Sequence, residues 1–168
     1  MSSNPYAAPR TVVGDVEDTQ EYQEIRMWSA SGRVGRLRYL AYTTGASLLA
    51  GFAAGIGSAA LGPSAGLGLA GLIYIVTLVF TILVAIQRSH DMDWSGWTVL
   101  LMFIPFVAFV WIFKRGSAGP NQYGAPPPPN TTGVKILGLL LPIVFVIGIV
   151  AAIAIPAYAD YVRRAGGG

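Results

Sequence analysis

The sequence predicts an all-α membrane protein, a small helical bundle of about four transmembrane segments. Three observations carry this prediction. The 168 residues are 54% hydrophobic and 11% charged, whereas a soluble domain carries about 25% charged residues. No Lys, Arg, His, Asp or Glu stands between Arg38 and Arg88. About 20 helical residues cross a hydrocarbon core of about 30 Å, so that interval accommodates two spans and a tight turn. Two further apolar runs cover residues 97–113 and 136–159.

The elements follow in order. Residues 1–24 set five acidic residues (Asp15, Glu17, Asp18, Glu21 and Glu24) against Arg10 alone, with Pro5 and Pro9 interrupting them. They read as a flexible acidic tail. The first 25 residues hold no apolar h-region, so the spans themselves are expected to drive insertion, without a cleaved signal peptide. Residues 25–115 form the membrane domain. Its opening stretch, residues 25–38, reads as a short interfacial segment, with Ile25, Met27 and Trp28 in the interface and Arg33, Arg36 and Arg38 toward phosphates. Gly32 and Gly35 oppose one long helix there.

Span one covers residues 39–61, where Gly51 and Gly55 make a small-xxx-small pair suited to general packing. Gly62, Pro63, Ser64 and Gly66 form an uncharged turn into span two, residues 67–86. The third run, 97–113, is short: its seventeen residues reach about 25 Å as a helix, and Pro105 lies at its middle. Both a crossing of locally thinned bilayer and a broken, re-entrant element remain open. Residues 116–135 are a Gly/Pro-rich linker whose proline run, 126–129, favours a stiff polyproline II spacer. Span four covers 136–159, with Pro142 and Pro156, and residues 160–168 are a short basic tail.

Outside the acidic tail, ten Lys and Arg face only Asp91, Asp93 and Asp160. This basic excess flanks the spans and suits a bilayer with anionic headgroups as partner. A homo-oligomer or other membrane proteins are further candidate partners. Nucleic acid is not expected, since no soluble domain carries a basic stripe. With the N-terminus inside and four crossings, Lys and Arg divide eight inside to three outside; with a re-entrant third run they divide nine to two and the C-terminus lies outside. The charges therefore put the N-terminus in the cytoplasm and leave the C-terminus open.

Chemistry concentrates in residues 88–97, RSHDMDWSGW, which hold the only histidine. His90 beside Asp91 and Asp93 offers a group titrating near neutral pH, or nitrogen and oxygen metal ligands. One His and two Asp are fewer ligands than most catalytic sites use. The alternative is structural: Arg88 anchors at phosphates, His90 and Asp91 cap or pair across helix ends, Trp94 and Trp97 form an interfacial belt, and Ser95 is an N-cap. The absence of cysteine excludes disulfides and thiolate metal sites. No phosphate-binding loop and no Gly-x-Ser-x-Gly elbow occurs. No ionisable residue lies inside a span, which argues against ion-coupled transport.

The order SGRVGRLRYL before span one, RSHDMDWSGW before the third run, IPFVAFVWIF within it and GPNQYG afterwards resembles the domain-of-unknown-function 805 family of small bacterial inner-membrane proteins. The matching positions are Gly32, Arg33, Arg36, Tyr39, Arg88, His90, Asp91, Ser95, Gly96, Trp97 and residues 119–124. Ser89 stands where that family commonly has Leu, and Gly119, Pro120 and Asn121 depart from its Pro-Gly order. The resemblance implies three spans over about residues 28–126 and a location in the inner membrane, with no assigned reaction. It marks a candidate interfacial polar cluster of Arg33, Arg36, Arg88, His90, Asp91, Ser95, Trp97, Asn121 and Tyr123, in which Arg36 or Arg88 is expected to pair with Asp91.

A second resemblance lies in residues 147–165, IGIVAAIAIPAYADYVRRA, which look like the N-terminal helix of type IV pilins. Leu139 stands where a pilin has its acidic residue, and Val134-Lys135 where cleavage would leave a new N-terminus. The resemblance therefore implies a span used for anchoring or helix packing, with Asp160 to Arg164 facing the periplasm if the pilin orientation is kept. The expectation is an uncharacterised, non-enzymatic inner-membrane component acting through helix–helix and lipid contacts, with no cofactor, metal or catalytic residue. The alternatives are a transporter or channel subunit, a pilus-assembly accessory, or a metal-dependent membrane enzyme centred on His90 and Asp91.

Overall fold

The structure, a computed structural model, describes residues 21–166. Most of the predicted acidic tail, residues 1–20, lies outside the described residues, as do residues 167–168. Among the described residues all regular structure is helical: α1 (Arg36–Asp91), a 3-10 helix (Gly96–Phe103), α2 (Phe109–Phe113) and α3 (Thr132–Gly166). An isolated bridge joins Asn121 and Gly124.

α1 is a hairpin of two helical arms. Gly62 alone leaves the helical region, at φ 77° and ψ 176°. A Cβ is disfavoured at that φ, and Pro63 bars its predecessor from the helical region while needing no N–H at the start of the second arm. Four residues were expected in this turn; the Gly-Pro dipeptide suffices. The arms fold back closely: a Cβ on Gly66 would stand 2.5 Å from Cα of Ser58, and one on Gly57 would run into Leu69. Gly51 and Gly55, the predicted packing pair, have open space where a Cβ would go. At the other end of the hairpin the Val34 N–H donates to the Gln87 carbonyl at 3.1 Å.

The buried core sits at that open end, not along the helices. Val34, Tyr39, Leu40, Val84, Ala85, Met92 and Trp111 pack there, together with buried Arg33, Arg38, Gln87, Arg88, Ser89, His90 and Asp91. Toward Gly62 the surface of α1 is apolar and exposed, as at Leu49, Phe52 and Leu72. α1 and α3 are both long and apolar enough to cross a membrane, and only 11% and 6% of their most apolar stretches are buried. A core helix of a soluble fold is mostly buried, and so much contiguous exposed apolar surface marks a membrane or partner surface.

Residues 97–113 do not form one helix. The Ser95 hydroxyl accepts the Trp97 N–H at 3.4 Å and caps the 3-10 helix. After Pro105 the chain turns through Phe106, at φ 67°, and α2 brings it back. The Lys114 ammonium lies 3.7 Å from the centroid of the Trp94 ring, so the ends of the run meet at one end of the molecule, where a helical crossing would hold them about 25 Å apart.

The proline run leads into α3 through Arg38, which donates to the Pro128 and Pro129 carbonyls at 3.0 Å each. α3 crosses α1 at Gly138, where a Cβ would stand 2.5 Å from the Leu37 carbonyl oxygen. Beyond Pro142 it is exposed, as at Phe145, Val150 and Ile155. The helix runs through Pro142 and Pro156 and continues to Gly166, so residues 160–166, expected as a tail, are helical.

The hairpin contact is testable with two alanines. Gly66→Ala should destabilise the purified protein by about 1–3 kcal/mol, since the clash is with backbone. Gly68→Ala, which meets nothing within 4 Å, should be neutral or stabilising by up to about 1 kcal/mol through helix propensity. Equal thermal shifts in detergent would contradict this account of the hairpin.

Candidate functional site

The last turn of α1 builds the site. Its i,i+3 spacing sets Arg88 over Asp91, with Nη1 2.5 Å from Oδ2. Arg33 reaches the same carboxylate from 58 residues earlier, Nη2 to Oδ1 at 3.1 Å. Each carboxylate oxygen thus takes one guanidinium, and both guanidiniums are fully enclosed while Asp91 is 4% exposed. Gly116 must lack a side chain, because a Cβ there would collide with the Asp91 carboxylate. The Ser117 N–H donates to the Asp91 carbonyl at 2.8 Å.

Apart from Arg33 Nε, which is buried without a partner among the described residues, the remaining guanidinium nitrogens donate to main-chain carbonyls between residues 111 and 124. Arg33 Nη1 donates to Gly119 at 2.8 Å and Gly124 at 3.1 Å, and Nη2 to Ser117 at 2.8 Å. Arg88 Nε donates to Trp111 at 2.9 Å and Nη2 to Lys114. A buried carbonyl outside helix or sheet needs such a donor, and the planar fork of arginine supplies several in fixed geometry. Gln87 plays a parallel part for the approach to α1, its amide donating to the carbonyls of Arg26 at 2.9 Å and Ser29 at 2.5 Å.

His90 faces a second group. Its Nδ1 lies 3.2 Å from the Gly32 carbonyl, which assigns the proton to Nδ1 in the neutral ring. The ring stacks on Tyr123, centroids 3.9 Å apart and planes 6° from parallel. Asn121 holds this turn: its amide donates to the His90 carbonyl at 2.8 Å, and its Oδ1 accepts the Tyr123 N–H at 2.9 Å. Ser89 accepts from Trp111 Nε1 at 2.9 Å and donates to the Ala85 carbonyl at 3.0 Å.

Burial pulls the Arg88 guanidinium down to about 10, against the opposing attraction of Asp91, and it remains protonated at neutral pH. Burial pushes the Asp91 carboxyl above the ordinary carboxylate value, with Arg88 and Arg33 pulling it back. Burial also lowers His90, opposed by its bond to Gly32.

Of the predicted cluster, Arg33, Arg88 and Asp91 meet directly, and His90, Asn121 and Tyr123 form the adjoining stack. Arg36 does not pair with Asp91; it lies at the exposed rim and donates to the Phe113 carbonyl at 3.2 Å. Arg33 and Arg38, expected at phosphates, are 1% and 2% exposed, because the carbonyls of residues 117–129 claim them. Trp97 points outward at 80% exposure, while Trp94 packs edge-on against Trp111, centroids 5.8 Å apart. Asp93 turns away and accepts from Gln122 at 3.2 Å. Sequence reasoning missed Gln87, Ser89, Trp111, Gly116 and the carbonyl-binding role of Arg38. Ser89, standing where the resembled family has Leu, was the one visible signal.

Comparison with known proteins frames this geometry. The profile of a family described as protein of unknown function (DUF805) matches residues 27–125, which contain the hairpin, the out-and-back run and the whole polar cluster. The inner membrane protein YhaI of Escherichia coli K12 is 37% identical over 60 residues, covering 33% of this chain and 51% of YhaI. YhaI of Escherichia coli O157:H7 matches with the same values. The chain thus spans about half the length of the curated relatives it matches. No solved structure matches.

The histidine has a pH signature. Its folded value is lowered, so between that value and 6.5 the unfolded chain binds more protons and stability rises with pH. The contribution of His90 is complete above 6.5 and is lost as the pH falls below it. Asp91, raised from 3.8 by burial, acts in the opposite sense. Unfolding in detergent from pH 7.5 to 5 should therefore show a stability loss that His90→Gln flattens; an unchanged slope in that variant would contradict the neutral stacked ring.

Proposed function

The chain belongs to the DUF805 family of proteins of unknown function, and on that premise we propose that it is a non-enzymatic, multi-pass component of the bacterial inner membrane acting through helix–helix and lipid contacts. One observation carries the reading: both oxygens of Asp91 are taken by enclosed guanidiniums. General acid–base chemistry needs a proton-transfer group within reach of a substrate, and a metal site needs converging ligands. His90 instead faces Gly32 and Tyr123, and Asp93 faces Gln122. The cluster is a clasp that holds the surface-lying chain against the helix ends.

The open end of the hairpin with its polar cluster, the head of the molecule, lies in the cytoplasm, with the N-terminus. Arg26, Arg33, Arg36, Arg38, Arg88, Lys114 and Arg115 gather at the open end of the hairpin, and residues 39–87 carry no charge; the positive-inside rule favours this orientation. Each arm of α1 is about 40 Å long and α3 about 50 Å, both enough to cross. Residues 97–113 dip into the cytoplasmic leaflet and return. α3 lies beyond the family match and crosses to the periplasm as an anchoring and packing span, the use that its pilin-like sequence suggests.

Two measurements test this. Reporter fusions should place residue 120 in the cytoplasm and the C-terminus in the periplasm; a periplasmic residue 120 would contradict the dip. Asp91→Asn strands two buried cations, which should cost about 3–5 kcal/mol of stability and lower the amount of protein in the membrane, whereas exposed Asp93→Asn should change stability by less than about 0.5 kcal/mol. Unchanged stability and levels in Asp91→Asn, with a phenotype nonetheless lost, would indicate chemistry instead.

A further inference from the structure

We propose that the cleft beside the clasp is a site for one anionic phospholipid, with Arg36 as the cation that meets its phosphate; this rests on the lipid-contact reading above and names where and how the contact is made. The cleft, about 770 Å³, opens between the first turn of α1, residues 113–118 and residues 126–130. Arg36, Ser117, Asn130 and the edge of Asp91, whose carboxylate is already held by Arg33 and Arg88, line it on its polar side, and Leu40, Ile112 and Pro142 give it apolar walls.

The local charge is unbalanced. Arg33 and Arg88 share the single carboxylate of Asp91, and Arg36 makes no salt bridge among the described residues. Its Nη1 is steadied by the Phe113 carbonyl at 3.2 Å, which leaves the rest of the fork free for a phosphate, the geometry arginine serves best. The charge of Arg36 reaches the enclosed Arg88, which burial first and Arg36 next pull downward; an anion at Arg36 relieves that repulsion. The first turn of α1 adds N–H groups, since Gly35 offers no capping side chain.

The walls distinguish the source of the phosphate. A free anion gains nothing from Leu40, Ile112 and Pro142, whereas the glycerol and first methylenes of a lipid bury apolar area against them. Leu40 and Pro142 also belong to the apolar runs of α1 and α3, which sets the cleft at the boundary between headgroups and acyl chains.

The test uses the full-length protein in nanodiscs of mixed phosphatidylglycerol and phosphatidylcholine, with native mass spectrometry counting the retained lipids. We expect one tightly held phosphatidylglycerol, preferred about fivefold, the value of one arginine near an anionic surface. Arg36→Gln should bring the ratio to about one, as should Asn130→Glu, which adds a carboxylate to the cleft without touching Arg36. Arg164→Gln should retain the preference, and millimolar inorganic phosphate should not displace the lipid. A preference that survives both cleft variants, or displacement by inorganic phosphate, overturns the proposal. If the preference is absent while Asp91→Asn still destabilises, the lipid site alone fails and the clasp stands.

Discussion

A chain that leaves its helices at a membrane surface carries carbonyl groups that water reaches poorly and no ladder satisfies. Here guanidiniums supply the donors, and enclosed guanidiniums in turn require an anion. Asp91 is that anion, and the described fold depends on it. Through Arg33 it fixes the approach to α1 and the carbonyls of residues 117–124. Through Arg88 it fixes the end of the returning run at Trp111 and Lys114. Gly116 permits the carboxylate to sit where it does, since any side chain at that position would occupy its place.

The molecule is consequently built in two different ways. Along the helices, specificity comes from small residues, where Gly57 and Gly66 let the arms touch, and the outward apolar surface makes no further demand on sequence. At the head, specificity comes from directional bonds between arginines, one carboxylate and main-chain carbonyls. The family match covers the hairpin and most of the head, ending at residue 125. α3 joins beyond it through the two proline carbonyls that Arg38 grips and the close crossing at Gly138. A fold fixed at one end in this way can accept an added span without altering the clasp.

Much of this was legible in the sequence. The charge-free interval and the Gly62-Pro63 dipeptide gave the hairpin, because both express local rules of length and dihedral angle. The Arg88–Asp91 pair, half of the clasp, was one of two expected pairings, the other being Arg36 with Asp91. Arg33 was marked through its motif but not as a partner of Asp91, because that pairing depends on how residues 25–35 lie against a helix end 58 residues away. Arg38 and Gln87 were missed because their acceptors are main-chain carbonyls, which leave no residue code. Gly51 and Gly55 matched a packing pattern but face open space, since that spacing is frequent in any glycine-rich helix. The course of residues 97–113 turned on Lys114 meeting Trp94, a contact that neither length nor hydropathy contains.

The central claim is that Asp91 and Arg33 are coupled, and that this coupling holds distant parts of the head together. A double-mutant cycle on Arg33→Gln and Asp91→Asn, read as unfolding free energy of the purified protein in detergent, measures that coupling directly. The clasp requires a coupling energy of at least about 1.5 kcal/mol between the two positions, so that the double variant costs clearly less than the two single variants added together. Additive effects, equal within about 0.5 kcal/mol to the sum of the two single variants, would contradict it.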